Sequence, residues 1–203
     1  MIVGLLLAAG AGSRFGGDKL LQPLPDGTPI GLAAARNLLQ GVDQVVAVVR
    51  PGDEELALIL CTAGLRVEIC HDAAHGMGAS LAHGVRSAGD ADGWLIALAD
   101  MPFIQSQTIR SVARLIESGA SIAAPFHRAK RGHPVGFSRA FFKPLSRLHA
   151  DYGAHDLLTA HATDIHSFHC NDSGILADID SPLDLERVSL HLPLQGGGRE
   201  GDG

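Results

Sequence analysis

The sequence predicts an α/β protein built on a mostly parallel sheet, and three observations carry that expectation. The chain begins with an apolar run, residues 2–9, too short for an ordinary helix, that feeds a glycine-rich loop holding Gly10, Gly12, Gly16 and Gly17. A second continuous run, Val45-Val46-Ala47-Val48-Val49, reads as a strand buried on both faces. Segments of helical spacing then alternate with extended ones, the order of parallel strands joined by right-handed helical crossovers.

The elements follow in order. Thr28 and Pro29 cap and open a helix through Leu39 that Gly41 stops, and residues 44–49 form the second strand. Pro51 and Gly52 turn into a helix carrying Leu56, Ile59 and Leu60, Gly64 ends it, and residues 65–69 alternate as a third strand. A polar loop, 71–78, precedes a helix over 79–86 whose N-terminus is suited to an anion. The fourth strand, 94–99, ends at Asp100, and a helix from Gln105 reaches Gly119. A short strand at 121–125 and a basic turn at 130–133 lead to an extended segment that includes Gly136. Helical pieces from Arg139 and around 156–162, a strand over 165–170, a strand end at 178–180 and a last helix capped by Ser181 complete the expected domain, 1–190. The glycine-rich tail, 191–203, has nothing to pack with and is expected to be disordered.

The chain has 203 residues, the size of one domain. Hydrophobic residues at 46% and charged residues at 19% match soluble globular proteins. The net charge of -6 argues against nucleic acid as the main partner, although a local cationic pocket for a small anion is compatible with it. Cys61, Cys70 and Cys170 are odd in number and lack C-x-x-C spacing, which points to free thiols in a reducing compartment. The N-terminal run is too short to span a bilayer and lacks a basic flank, so neither a signal peptide nor a membrane role is expected, and the protein is expected in the cytoplasm.

In the first loop, glycines let backbone N–H groups approach phosphate oxygens, and Arg14 and Lys19 add cationic side chains. Neither familiar phosphate motif fits. Phe15 stands where the dinucleotide fingerprint requires glycine, and Lys19 is followed by Leu20, not by the P-loop hydroxyl. At the carboxyl end of the fourth strand, in the crevice where open parallel sheets bind ligands, Asp100 is a metal-ligand candidate, with a turn-capping role before Pro102 as the alternative. The 11 histidines show no helix-face ligand set, so zinc is not expected.

Four separated motifs stand together: Leu7-Ala8-Ala9-Gly10 with Gly12-Ser13-Arg14-Phe15-Gly16 and Lys19; Gly76-Met77-Gly78-Ala79-Ser80-Leu81; Asp100-Met101-Pro102; and Arg131-Gly132-His133-Pro134-Val135 with Asp178-Ile179-Asp180-Ser181-Pro182. In this order they resemble the MobA-like nucleotidyltransferases, and within them the molybdenum cofactor cytidylyltransferases. The resemblance implies a three-layer α/β/α sandwich with a Rossmann-like sheet of the nucleotide-diphospho-sugar transferase type, mostly parallel with a late antiparallel strand. It implies transfer of CMP from CTP to the phosphate of a molybdopterin-type acceptor, with release of pyrophosphate and with Mg²⁺ as cofactor, and a recipient molybdoenzyme or its chaperone as a further partner.

Carried over by position, the resemblance makes Leu7, Ala8, Ala9, Gly10, Gly12, Ser13, Arg14, Lys19 and Asp72 nucleotide-binding. It makes Arg14, Lys19 and Asp100 catalytic, and Asp100 and Asp180 metal-binding. Ser80, Arg131 and His133 fall on the acceptor side. GTP-using relatives usually carry glycine where this chain has Ala9, whose methyl group is expected to narrow the base pocket toward cytosine. Gly136 replaces a larger residue on the acceptor strand. Three alternatives remain: a same-fold enzyme using GTP or another phosphorylated acceptor, a dinucleotide-binding reductase with Arg50 receiving a 2′-phosphate, and a non-catalytic carrier of the pterin.

Overall fold

The computed structural model describes residues 1–10, 15, 18–149 and 153–191. The glycine-rich tail from residue 192 onward lies outside them. Five segments run parallel: β1 (Ile2–Leu7), β2 (Gln44–Val49), β3 (Arg66–Ile69), β4 (Gly93–Leu98) and β5 (Ile122–His127). They are joined by β6 (Lys130–Arg131), β7 (Val135–Ser138) and β8 (Ile165–His169) in one sheet. The strand order is β3-β2-β1-β4-β7-β5-β6, and β8 pairs in parallel with β5. β7 is antiparallel to both β4 and β5, the late interruption that the resemblance implies.

Because side chains alternate along a strand, the central strands supply two cores. Ile2 and Leu6 of β1, with Val45, Ala47 and Val49 of β2, face one layer. Against it lie α1 (Ile30–Leu39), α2 (Glu54–Thr62) and α4 (Ser106–Glu117). Val3, Leu5 and Leu7, with Val46, Val48 and Trp94, face the other. There α3 (Met77–Ser87), α5 (Phe142–Ser146) and α6 (His155–Ala160) pack. The result is a three-layer α/β/α sandwich, and α7 (Pro182–His191) follows β8 and the segment that returns to the carboxyl ends of the central strands. Among the described residues no helix is long and apolar enough to cross a membrane.

Two local expectations are corrected, and a third residue gains a packing role. Residues 178–180 are not a strand: the Asp-Ile-Asp alternation imitates one, but the segment is held to the sheet edge through the Ile179 N–H, which donates to the Asp100 carbonyl at 2.9 Å. The basic turn at 130–133 begins as the short strand β6, because Arg128 and Ala129 make the hairpin turn with φ of 47° and 63°. That is the positive-φ pair of a type I′ turn, reached here without the usual Asn-Gly signal. Gly136 is a packing residue: a Cβ there would stand 2.8 Å from Ile116 and 2.9 Å from Val112, so its lack of a side chain lets α4 lie close on β7.

Candidate active site

The carboxyl ends of β1 and β4 lie side by side, and pairing continues past the strand ends, with the Ala8 N–H donating to Val48 and the Ala99 N–H to Leu7. This sets Gly10 and Asp100 on one edge. The chain comes back to that edge at Asp18, whose backbone is left-handed (φ 29°, ψ 36°), a state aspartate tolerates better than most residues. Lys19 follows and points inward. Its Nζ donates to Asp100 Oδ2 at 2.8 Å and to Asp180 Oδ1 at 3.2 Å, with 12% of the lysine side chain exposed. Burial works against the Lys19 ammonium, but the hydrogen bond and charge of Asp100, then those of Asp180, outweigh it and raise its pKa above the ordinary lysine value.

Asp180 arrives from far along the sequence because the segment before it is fastened to the loop after Asp100. The Asp172 carboxylate is buried and accepts from Gln105 N–H (2.9 Å), the Thr108 hydroxyl (2.7 Å) and Gly174 N–H (3.0 Å). Gly174 lies so close to Phe103 that a Cβ would stand 2.1 Å from the Phe103 carbonyl oxygen. At the other end, Asp184 Oδ2 accepts from the N–H groups of Asp180 and Ser181 and from the Ser181 hydroxyl, a cap that starts α7 and fixes the Asp180 backbone.

Beside this ion pair a cleft of about 440 Å³ opens, walled by Leu7, Ala8, Gly10, Lys19 and Asp100 and continuing to Arg50 at the end of β2. Gly10 has no left-handed torsion, and a Cβ on it would meet nothing within 4 Å among the described residues. Ala9 is buried and is not among the residues lining the cleft, since its neighbours Ala8 and Gly10 are the ones that face it. Gly12, Ser13 and Arg14 lie outside the described residues.

The other expected site residues are more dispersed. Asp72 sits in an exposed turn after β3, with His75 3.7 Å away, and does not line the cleft. Ser80 is buried in the first turns of α3, and Arg131 is exposed on β6. His133 lies near the site: burial lowers its pKa, the Ile96 backbone works the other way, the Arg131 charge adds to the lowering, and the charges of Asp100 and Asp178 oppose it. Its Nδ1 is buried without a partner among the described residues. Arg50 and Asp53 are cleft residues that the nucleotidyltransferase reading of the sequence left out; the available signal was the position of Arg50 at the carboxyl end of a parallel strand.

Among the described residues no group of three or more His, Cys, Asp or Glu side chains is placed to hold a metal ion. The two carboxylates fit a hard cation of the kind that takes only one or two protein ligands and completes its shell with water and phosphates. Asp100 Oδ1 is buried and has no partner among the described residues, an oxygen left available for such an ion.

A mostly parallel α/β/α sandwich with a lysine and two carboxylates at the carboxyl edge, beside a nucleotide-sized cleft, defines a phosphoryl-chemistry enzyme class. The chain belongs to the MobA-like NTP transferase domain family, which matches residues 4–165, and its fold is of the nucleotide-diphospho-sugar transferase type. It is similar to the purine catabolism protein PucB of Bacillus subtilis, at 31% identity over 92% of this chain and 95% of that one. It is also similar to nicotine blue oxidoreductase of Paenarthrobacter nicotinovorans, at 29% identity over 92% of this chain and 96% of that one. Among solved structures, Rv0371c of Mycobacterium tuberculosis superposes with a TM-score of 0.79 at 26% identity, covering 92% of this chain and 96% of that one. A nucleotidyl transferase from Methanothermobacter thermautotrophicus gives 0.78 at 26% identity, covering 94% and 97%.

Proposed function

We propose that this nucleotidyltransferase moves CMP from CTP to the phosphate of a molybdopterin-type acceptor. An acceptor phosphate oxygen attacks the α-phosphorus, the α–β phosphoanhydride bond breaks, and pyrophosphate leaves. The observation that carries the reading is the Lys19 ammonium shared by Asp100 and Asp180 at the end of the cleft, a set of charges suited to a triphosphate and its cation. Such chemistry needs neutralised charge and in-line positioning more than a protein nucleophile.

In this reading Leu7, Ala8 and Gly10 form the wall against which the nucleotide lies, and Lys19, joined by Arg14 from the same loop, stabilises the triphosphate. Asp100 and Asp180 hold Mg²⁺, which supplies charge neutralisation on the phosphate oxygens when bound. His133 and Arg131 belong to the β6–β7 side, across β4 from the nucleotide cleft, where the acceptor enters. A recipient molybdoenzyme or its chaperone takes the product, and the free cysteines suit a cytoplasmic setting. The test is pyrophosphate release with each nucleoside triphosphate, magnesium and molybdenum cofactor: release that needs both CTP and the pterin supports the reading, and release with another phosphorylated acceptor alone replaces it.

One observation favours a second reading, a dinucleotide-dependent reductase. A relative at 29% identity is named an oxidoreductase, and Arg50 lines the cleft. Against it, Phe15 breaks the dinucleotide fingerprint. Tight NADPH binding, with none of CTP, selects this reading.

A further inference from the structure

The cleft that ends on Lys19 and Asp100 runs across the tips of β4, β1 and β2, and Arg50 stands at its other end. Neighbouring strands are about 4.8 Å apart, so the two ends are separated by about 10 Å. That is the reach of a nucleoside and its first phosphate. With the triphosphate drawn to Lys19, the base lies over the turn between β2 and α2.

The Arg50 Nε donates to Asp53 Oδ1 at 3.0 Å, and the two side chains are 31% and 14% exposed. Asp53 thus holds the guanidinium by its Nε edge, and the terminal Nη pair has no side-chain partner among the described residues. Such a pair is a rigid fork for two adjacent acceptors. We infer that Arg50 reads the donor base, an inference resting on the nucleotidyltransferase function: its Nη groups donate to N3 and O2 of cytosine.

Uracil carries a hydrogen on N3, so one arm of the fork then faces a donor. Adenine offers no pair of adjacent acceptors outside its sugar edge. Guanine presents O6 and N7, acceptors to which the fork can donate, so Arg50 sorts CTP from UTP and ATP and leaves the separation from GTP to the width of the cleft. Glu54 and Glu55 line the same end and are of the kind that accepts from the cytosine 4-amino group, where uracil has only an oxygen. Their charges also keep the triphosphate at the lysine end. Ala9, buried and off the cleft wall, has no comparable access to the base.

The experiment measures binding of CTP, UTP, GTP and ATP to the whole protein by calorimetry with Mg²⁺ and without acceptor, then repeats it with Arg50→Gln and Arg50→Lys after checking that both melt as the wild type does. The wild type is expected to prefer CTP over UTP by about 10-fold to 100-fold, the discrimination a bidentate base contact gives. Arg50→Lys keeps the charge and loses the fork, so the CTP-to-UTP ratio should fall about tenfold or more in both variants, leaving only what Glu54 and Glu55 contribute. An unchanged ratio overturns the inference, and equal weakening of all four nucleotides makes Arg50 a phosphate contact and overturns it too. If the wild type binds nucleotides without preferring CTP to UTP, this inference alone falls; if it binds none, the proposed function falls with it.

Discussion

The Lys19 ammonium lies 2.8 Å from one oxygen of Asp100, while the other oxygen of that carboxylate is buried and unpaired among the described residues. The side chain assigned to the triphosphate is therefore the counterion, in the free protein, of the carboxylates assigned to the metal. Under the proposed function, loading the site would be an exchange in which the lysine passes to phosphate and the carboxylates to the cation.

Lys19→Met should accordingly have two effects of opposite sign. Without the ammonium, Asp100 and Asp180 attract a divalent cation more strongly, and Mn²⁺ alone, titrated by electron paramagnetic resonance with no nucleotide present, should bind at least about tenfold tighter, or ~1.4 kcal/mol. Turnover should fall about 10²-fold to 10³-fold, with kcat and kcat/KM dropping together because the charge is needed most as the anhydride breaks. Unchanged Mn²⁺ affinity would mean that the ion pair does not govern the site in solution. A rise in KM alone would make Lys19 a ground-state contact.

Gly10→Ala separates packing from ligand approach. Among the described residues nothing stands within 4 Å of a Cβ at Gly10, and the backbone there is not left-handed, so they give no packing reason for glycine. The variant should keep its stability within about 0.5 kcal/mol in urea denaturation. CTP affinity should fall about tenfold or more, since the methyl group enters the wall against which the nucleotide lies. Wild-type affinity in this variant would remove Gly10 from the binding surface.

The parts legible in sequence are those set by short-range pattern. The apolar runs of β1 and β2, the turn glycines and the placement of Asp100 at a strand end follow from residue type and spacing, and the structure keeps them. The parts that were not legible depend on parity or on distant contacts. Ala8 and Ala9 are identical in sequence, and only the direction of the chain past β1 decides that Ala8 faces the cleft. Asp172 resembles any polar loop residue until the fold buries it against α4, where, as a clamp, it works with the Ile179 bond to Asp100 to bring the chain back toward Lys19. The packing of Gly136 against Val112 and Ile116 depends on residues distant along the chain, which no local pattern shows.

Asp172→Ala tests that clamp. The substitution strands Gln105 N–H, the Thr108 hydroxyl and Gly174 N–H, so unfolding free energy should drop by about 2–4 kcal/mol. If the clamp also positions Asp180, the folded variant should need more Mg²⁺ for half-maximal activity, and excess Mg²⁺ should recover part of kcat. Loss of stability with an unchanged Mg²⁺ requirement would confine Asp172 to a structural role.

His133 gives the protein an acid-sensitive component whose sign follows from its surroundings. Burial, helped by the Arg131 charge and opposed by the Ile96 backbone, Asp100 and Asp178, holds its pKa below the ordinary histidine value. The unfolded chain, with a histidine pKa of about 6.5, therefore takes up the proton more readily than the native state. The stabilisation is fully present above about pH 6.5 and is lost as the pH falls toward the depressed native value, at up to ~1.4 kcal/mol per pH unit from this group. His133→Asn removes the titrating group, so between pH 7 and pH 5 the wild type should lose about 1–2 kcal/mol more stability than the variant, read from urea midpoints at each pH. Parallel losses in the two proteins would show that His133 titrates alike in the folded and unfolded chains, and that its imidazole is solvated in the native state.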